Sequence, residues 1–281
     1  MAVPSLNLEE YQFGDAGVLL NGTSAVPFCD LTSIEGLDNA PFATSITDQD
    51  GRDGGYVEAQ YETTRTVTLG GIVYANPSLL ETYLDSLKYN FRPLNVNTPL
   101  YFNHGTGQIR CVFGKSLGFK ASKDQMRRLG KAEFQVQIAC EDPRIYDSTV
   151  TTVTIPVAGT GTATLIGNRR APAIMRLNGP LTNPAITYLD LELWTNITMT
   201  FNTTLIAGQY IDIDLVLRTC LRETGASVRH LMTFTGGTWV GNELVTHPVT
   251  WYLLNGGSST LSLEASAGTG NLVITTRSAW R

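Results

Sequence analysis

The stretch KAEFQVQIACEDPRIYDSTVTTVTIPV, residues 131–157, contains two strand-like segments on either side of a proline. Its first ten residues alternate between apolar and polar side chains, as a half-buried strand does, and its last seven residues alternate again. In the first strand four side chains share one face, and we predict that this face is buried: Phe134, Val136, Ile138 and Cys140.

A proline separates these two strands. Pro143 has no backbone N–H, and it disfavours the helical conformation at Asp142, so the first strand ends here. We predict a seam between two domains, residues 1–147 and 148–281. Asp142 and Arg144 are expected to cap or pair locally at this seam, since an isolated charge cluster is weak evidence for catalysis.

The composition is typical of a globular protein, with 42% hydrophobic and 16% charged residues in a chain of 281. Disordered chains show the opposite balance. No apolar run approaches the about 20 residues of a membrane-spanning helix, and the N-terminus lacks the pattern of a signal peptide. The sequence has four cysteines without CxxC spacing: Cys29, Cys111, Cys140 and Cys220. Because the sequence also shows no export signal, we predict that they are buried thiols in a reducing compartment.

The first domain is predicted to be a sheet with one packed helix. Asn76 is a suitable N-cap, Pro77 suits the first helical position, and Pro93 ends the helix. Between them, apolar residues at helical spacing predict one buried stripe: Leu80, Tyr83, Leu84, Leu87 and Phe91. In the strand before the helix, one set of side chains is expected to face away from the threonines at 64, 66 and 68: Arg65, Val67 and Leu69.

The second domain has no convincing helical pattern. It contains about ten short apolar-polar runs separated by glycine- and asparagine-rich turns such as GTG, NGP and NGGSS. Such spacing predicts a β-sandwich or jelly roll. The sequence as a whole therefore predicts a mainly β protein.

The charge distribution is strongly asymmetric. Residues 1–62 carry eleven carboxylates and only one basic side chain, Arg52, whereas residues 115–131, the basic arm, carry six basic side chains and only Asp124. The simpler interpretation of the basic arm is a hairpin exposed to solvent. The alternative is that the basic arm binds an acidic surface of another copy of the chain; such a heterologous contact closes into a ring or continues as a filament. The candidate contact residues are Lys120, Lys123, Arg127, Arg128 and Lys131, with Asp48, Asp50 and Asp53 as candidate counterparts.

The sequence contains no complete motif for a metal or a cofactor. The segment DQDGRDGG, residues 48–55, has the acidic character of a calcium loop, but the positions for glycine and for the bidentate glutamate are occupied by Asp53 and Ala59. The three histidines have no zinc spacing, and there is no nucleophile elbow or phosphate loop. We therefore expect no cofactor and no metal.

Two alternative functions remain. In YIDIDLVL, Asp212 and Asp214 stand on one face of one strand, about 7 Å apart by the per-residue rise, which falls in the range of inverting glycosidases. A solvated face is the simpler interpretation. The second alternative is a carbohydrate-binding module that uses Trp239, the tryptophan best placed to lie on a loop.

The order of several motifs resembles the distal tail protein of long-tailed, non-contractile bacteriophages. The resemblance covers nearly the whole chain, and it is carried by GRDGG before TTRTVTLGGIVY, LLETYLDSLKYNFRP, FQVQIACEDPRIYD, IGN before PAIMRLNGPLTNPAITY, LIAGQYIDIDLVLRT, VTWYLLNGGSSTLSLEAS and NLVITTRSAW.

The resemblance implies more than the pattern does. It implies a small β-barrel-like N-terminal domain that forms a hexameric ring, and a galectin-like β-sandwich projecting outward. It also implies a structural, non-enzymatic protein of the virion, assembled in the host cytoplasm. Its partners are the tail tube protein, the tail-tip hub protein and the tape-measure protein, with DNA passing through the lumen without specific binding. The galectin-like fold does not by itself imply sugar binding.

Overall fold

The computed structural model describes residues 4–15, 17–22, 28–38, 41–48, 53, 55–57, 61–105, 107–190, 195–215, 217–235, 239–240, 243–244, 254 and 257–280. The chain forms two units, which divide between Ser148 and Thr149, one residue after the predicted boundary between residues 147 and 148. Both units consist mainly of antiparallel strands, so the prediction of a mainly β protein is confirmed.

Three of the described strands of the first unit have ten or more residues, and the others are shorter. In chain order they are β1 (Tyr11–Phe13), β2 (Val18–Leu20), β3 (Phe28–Glu35), β4 (Phe42–Ala43), β5 (Ile46–Asp48), β6 (Gly55–Val57), β7 (Tyr61–Glu62), β8 (Arg65–Tyr74), β9 (Thr98–Phe102), β10 (Arg110–Ala121), β11 (Lys131–Cys140) and β12 (Ile145–Asp147). One helix, α1 (Leu80–Asn90), lies between β8 and β9, and a 3₁₀ turn (Gln125–Leu129) lies between β10 and β11.

Seven of these strands form one sheet in the order β2-β1-β9-β10-β11-β8-β3, and β12 pairs with β10. The two edge strands approach each other at Asn21. Its backbone N–H donates to the Cys29 carbonyl at 2.7 Å, and its Oδ1 accepts from the Leu31 N–H at 2.5 Å. No ladder joins β2 to β3 in the described ranges, so the sheet is barrel-like without being a closed barrel.

The helix begins three residues later than the sequence suggests. Asn76 directs a turn that precedes α1: its carbonyl accepts from Leu79 N at 2.8 Å and Leu80 N at 3.1 Å, and its Oδ1 accepts from Ser78 N at 3.1 Å. The residue at the helix N-cap is Leu79, whose side chain makes no capping bond. The predicted apolar stripe is otherwise correct, since Leu80, Leu84, Leu87 and Phe91 are buried and only Tyr83 is half-buried.

Phe91, at the C-cap of α1, joins the helix to the sheet. Its ring stacks on Phe13 with centroids 5.1 Å apart and on Phe119 at 6.3 Å, and Phe119 stacks on Phe134 at 5.8 Å. Large stacked aromatic rings contribute much of the apolar area that a small domain can bury. The core of the first unit therefore lies between α1 and the strands β1, β10 and β11.

The predicted strand faces of this unit are confirmed. Along β8, Arg65, Val67 and Leu69 are fully buried, while Thr66 is exposed and Thr68 half-buried. Along β11 the predicted inward face is likewise buried: Phe134, Val136, Ile138 and Cys140. All four cysteines are buried free thiols, as expected from their spacing.

Strands β4 to β7 form two two-stranded sheets, β4 with β7 and β5 with β6, which together we call the acidic ribbon. β4 pairs with β7, with Phe42 opposite Glu62, and β5 pairs with β6, with Asp48 opposite Gly55. Both residues of β4 are exposed. Two-stranded ribbons are marginally stable alone in water.

The second unit carries the strands β13 (Thr151–Pro156), β14 (Gly159–Leu165), β15 (Ala173–Asn178), β16 (Leu181–Thr182), β17 (Ala185–Asp190), β18 (Thr195–Phe201), β19 (Thr204–Leu205), β20 (Tyr210–Asp214), β21 (Thr219–Arg222), β22 (Met232–Thr235), β23 (Trp239–Val240), β24 (Glu243–Leu244), β25 (Gly257–Glu264), β26 (Ala267–Gly268), β27 (Asn271–Thr276) and β28 (Ala279–Trp280). A 3₁₀ turn (Arg229–Leu231) precedes β22, and the described ranges contain no α-helix in this unit.

Two five-stranded sheets dominate the second unit, in the orders β13-β27-β15-β20-β21 and β14-β25-β17-β18-β22. In each sheet, alternate residues are buried and the others are exposed to solvent, which is the pattern of the sheets in a β-sandwich. The predicted β-sandwich is therefore confirmed. Its core side chains include Met175, Leu177, Ile211, Ile213 and Ile274 from the first sheet and Ile186, Ile197, Met199, Leu261 and Leu263 from the second.

Among the described residues, no helix has the length and apolar character needed to cross a membrane.

Candidate subunit interface

The basic arm is the end of β10, the 3₁₀ turn and the start of β11. The turn begins at Asp124, whose Oδ1 accepts a hydrogen bond from Met126 N at 3.0 Å. It ends at Gly130, which has a φ of 74° and where a Cβ would lie 2.0 Å from the Ala75 carbonyl oxygen. Because an aspartate caps the turn and only glycine fits its end, these two residues determine the shape of the arm.

The five predicted contact cations divide into two groups. Lys120, Lys123 and Arg128 are exposed and make no hydrogen bond or ion pair within the described chain. Arg127 instead donates from Nε to the Ser122 carbonyl at 2.6 Å and pairs through Nη1 with Glu81 of α1.

The fifth cation, Lys131, is also engaged within the chain, because its Nζ lies 5.3 Å from the ring centroid of Tyr74. Arg127 and Lys131 therefore hold the arm to the rest of the unit. Three outward-pointing charges remain, on Lys120, Lys123 and Arg128.

The arm also exposes apolar side chains. Leu129, in the 3₁₀ turn, is 69% exposed, Met126 is 46% exposed, and Leu117 of β10 is 58% exposed. Single exposed apolar residues are common on proteins, but here three of them and three unpaired cations occur within residues 117–129. Apolar side chains with a polar and charged rim are the usual anatomy of a protein interface.

Of the predicted acidic counterparts, the structure describes the backbone of Asp48 and the exposed Asp53. The backbone of Asp48 ends β5, although its side chain lies outside the described residues, and so does Asp50 altogether. Asp53 is described and exposed. Because Asp48 pairs with Gly55, Asp53 lies in the chain between β5 and β6.

The polar cluster at the seam is a closed local structure. The Asp142 carboxylate accepts from Arg144 N at 3.0 Å and pairs with Arg144 Nη1 at 3.1 Å, and it accepts a further hydrogen bond from the Tyr146 hydroxyl. Burial, together with the charge of Asp142, raises the pKa of the Tyr146 hydroxyl above its ordinary value. The expectation that Asp142 and Arg144 pair locally is confirmed.

The two aspartates considered for glycoside hydrolysis are both engaged in the sheet. Asp212 forms a bidentate ion pair with Arg176 of β15, at 2.6 Å and 2.8 Å, and the Arg176 guanidinium lies 4.1 Å from the Tyr210 ring centroid. Asp214 Oδ1 accepts from Leu217 N at 2.9 Å in the turn after β20. The arrangement is that of a cross-strand network on a wet face rather than of two carboxylates flanking a substrate.

The remaining site predictions concern carbohydrate binding by Trp239 and the absence of a metal site. The backbone of Trp239 lies in β23, but its side chain is outside the described residues, so its proposed role with carbohydrate stays a prediction. In the described part of the chain, nowhere do three or more His, Cys, Asp or Glu side chains gather as a metal site would require.

Comparison with solved structures yields matches that span both units. The SPP1 Dit protein (gp 19.1), described as a paradigm of the hub adsorption apparatus in phages that infect Gram-positive bacteria, is 11% identical, with a TM-score of 0.65, over 98% of this chain and 100% of that one. The chain has the fold of a phage distal tail protein. A chain of the phage P2 baseplate, in its activated conformation with Ca, is 7% identical, with a TM-score of 0.52, over 97% and 98% of the two chains.

No protein-family model and no curated protein matches the sequence. Since the identities of the structural matches are so low, the likeness lies in the order and pairing of the strands rather than in shared residues. The match over the full length of both chains also leaves no large domain inserted in either one.

Sequence reasoning missed two features of the first unit. The complete burial of Arg65 gives no sequence signal beyond its place in an apolar-facing register. An irregularity in β10 around Leu117 does have a signal, since an isolated glycine within a strand pattern, here Gly118, indicates a bulge.

Proposed function

We propose that this chain is a structural protein of a phage virion that assembles head to tail with copies of itself into a hexameric ring. The ring lies at the distal end of the tail and joins the tail tube protein to the tail-tip hub protein. The observation that carries this proposal is the similarity to the SPP1 Dit protein along the whole of both chains. The proposal includes assembly in the host cytoplasm and no enzymatic activity.

The charge distribution supports a ring physically. The basic arm and the acidic ribbon are different surfaces of one subunit, so a contact between them on neighbouring copies is heterologous, and repeating it closes a ring when the rotation allows. A two-stranded ribbon gains stability when it packs against another surface, and a neighbouring subunit provides one.

The excess of carboxylates in residues 1–62 suits a channel for DNA. Lysine and arginine contacts to phosphates hold DNA and release counterions, whereas a carboxylate-rich wall repels the phosphates. We propose that the lumen is lined by part of this acidic segment and admits the tape-measure protein and then DNA without specific binding.

The test is the oligomeric state of the purified chain. Native mass measurement at several protein concentrations and ionic strengths, with a negative-stain image of the largest species, should give a closed ring of six chains. A chain that stays monomeric under every condition, and also fails to form a ring when the neighbouring tail proteins are added, contradicts the proposal.

A further inference from the structure

We propose that Leu117 is the apolar anchor of the contact between neighbouring subunits, received by an acidic surface of a second copy of this chain. This inference rests on the proposed ring, and it names the residue at the centre of the contact. It begins with a β-bulge in β10.

The bulge turns Leu117 outward. In the pairing of β10 with β11, Ser116 lies opposite Ile138 and Gly118 lies opposite Gln137, so Leu117 is the extra residue. A bulge of this kind re-aims a side chain, and it is found at functional edges of sheets. Leu117 is 58% exposed as a result, although the flanking Ser116 is buried.

Two hydrogen bonds of the Ser116 hydroxyl hold the bulge in place. The Ser116 hydroxyl donates to the Phe91 carbonyl, at the C-cap of α1, at 2.6 Å and accepts from Gly118 N at 3.3 Å. Gly118 has a φ of 134°, which a side chain rarely tolerates, although a Cβ there would meet nothing within 4 Å. The backbone conformation, not a lack of space, therefore requires glycine, and the position of Leu117 is fixed rather than accidental.

Leu117 stands at a groove of about 200 Å³ on the outer surface of β10 and β11. The other lining residues are Gly118, Phe119, Lys120, Gln135 and Gln137. The lining thus includes one exposed leucine, one phenylalanine, uncharged amides and one cation. An apolar centre with a polar and charged rim is the anatomy of a protein interface.

Charge complementarity identifies the occupant. Lys120 lines the groove, and Lys123 and Arg128 follow it in the basic arm; all three are exposed and unpaired within the described chain. Asp124, the one acid between residues 115 and 131, caps the turn. The chain itself presents exposed carboxylates elsewhere, on Glu35, Asp38 and Asp53. A second copy therefore offers the opposite charge, and its binding buries Leu117 beside Lys120 and brings its carboxylates to the cations further along the arm.

The experiment compares wild type, Leu117→Ser and the control Leu217→Ser by sedimentation velocity over a range of salt concentrations. Leu217 is 70% exposed and belongs to the second unit. Burial of a leucine corresponds to about a tenfold to hundredfold loss of subunit affinity in Leu117→Ser, equal at every ionic strength because the lost contact is uncharged. The control should assemble like wild type, and thermal unfolding of both variants should match that of the parent.

The outcomes separate the two proposals. Assembly of Leu117→Ser that equals wild type, or a control that weakens assembly as much, overturns the role of Leu117 and leaves the ring intact. A wild-type chain that forms no ring in the presence or absence of other tail proteins contradicts the proposed function, and this inference fails with it.

Discussion

Arg65 donates a hydrogen bond from Nε to the carbonyl oxygen of Pro143 at 2.8 Å, and so ties the start of β8 to the proline of the seam. Its Nη1 donates to the carbonyls of Gly36 at 2.6 Å and Asp38 at 2.7 Å. Arg65 is fully buried and is the largest such side chain in the described chain. One guanidinium thus holds the end of β3 and the end of the first unit together.

Replacing Arg65 with methionine should therefore destabilise the first unit strongly. The variant fills a similar volume but leaves three carbonyls without their donor, at a cost of about 1–3 kcal/mol for each one that stays buried. Urea unfolding measures the loss, and Arg128→Met, at an exposed arginine of the basic arm, is the matched control with a change within about 0.5 kcal/mol. Equal midpoints for the two variants would contradict this role of Arg65.

Asn21 joins the two edges of the first sheet, and its conformation is part of that role. It has a φ of 60°, and besides its bonds to β3 its Nδ2 donates to the Glu9 carbonyl at 3.2 Å. We expect Asn21→Ala to cost about 2 kcal/mol, from the loss of both side-chain hydrogen bonds and from an unfavourable left-handed conformation.

The matched variant Asn21→Gly separates the two causes. Glycine adopts the left-handed conformation freely but makes no side-chain bond, so it should recover about half of the loss. Equilibrium unfolding of both variants measures this difference. If glycine is no better than alanine, the backbone conformation at Asn21 contributes nothing.

The buried cysteines should be unreactive in the folded chain. Burial raises the pKa of the Cys29 thiol to about 11, and burial raises that of Cys140 to about 11, with smaller opposing effects of Arg65 and Asp142. Because the thiolate is the nucleophile, alkylation near pH 8 should be negligible in the native protein and complete in denaturant. Rapid labelling of Cys29 without denaturant would show that the fold opens locally there.

The same shifts give a pH dependence. A thiol whose pKa is raised on folding stabilises the fold below its unfolded pKa, near 9, and this contribution is lost as the pH rises towards the folded value of about 11. Stability should therefore fall between pH 9 and pH 11. Cys29→Ala should flatten this fall, and an unchanged slope would mean that other groups cause it.

Much of the fold follows from local patterns. Alternation along Lys131–Cys140 predicts its buried face, and helical spacing predicts the stripe from Leu80 to Phe91, because burial of one face determines both periods. The start of the helix is harder to predict from the sequence, because asparagine caps a turn as well as it caps a helix. Here Asn76 caps the turn that precedes α1. Local pattern also cannot show which strands meet, so the near-closure of the sheet at Asn21 is visible only in three dimensions.

The candidate interface was predictable in kind but not in detail. The excess of charge in residues 115–131 is plain in the sequence, whereas the division of its cations depends on tertiary contacts of Arg127 with Glu81 and of Lys131 with Tyr74. These contacts join residues far apart in the chain, and no spacing rule reveals them.

Asp212 should contribute little to stability and nothing to catalysis. Its pair with Arg176 is partly solvent-exposed, with side-chain exposures of 32% and 47%, so screening limits the interaction to about 0–1 kcal/mol. We expect Asp212→Asn to unfold within about 1 kcal/mol of wild type, and we expect neither protein to release sugar from a panel of bacterial polysaccharides. Turnover by wild type that disappears in Asp212→Asn would revive the glycosidase alternative.

Neutralising the exposed cations of the basic arm should weaken ring assembly and reduce its dependence on salt. The variant Lys120→Gln, Lys123→Gln, Arg128→Gln removes the three outward charges but spares Arg127 and Lys131, which hold the arm in place. Electrostatic attraction between subunits is screened over about 8–10 Å at physiological salt, so wild type should assemble less well as salt rises, while the variant should assemble poorly and nearly independently of salt.

The control for this variant removes the same number of charges elsewhere. Lys88, Arg218 and Arg229 are exposed cations outside the basic arm, and changing all three to glutamine alters the net charge equally. Sedimentation velocity at low and high ionic strength compares the three proteins. The control should follow wild type, because the contact depends on where the charges lie. If the two triple variants instead behave alike, only the net charge of the subunit affects assembly and the basic arm is not part of the interface.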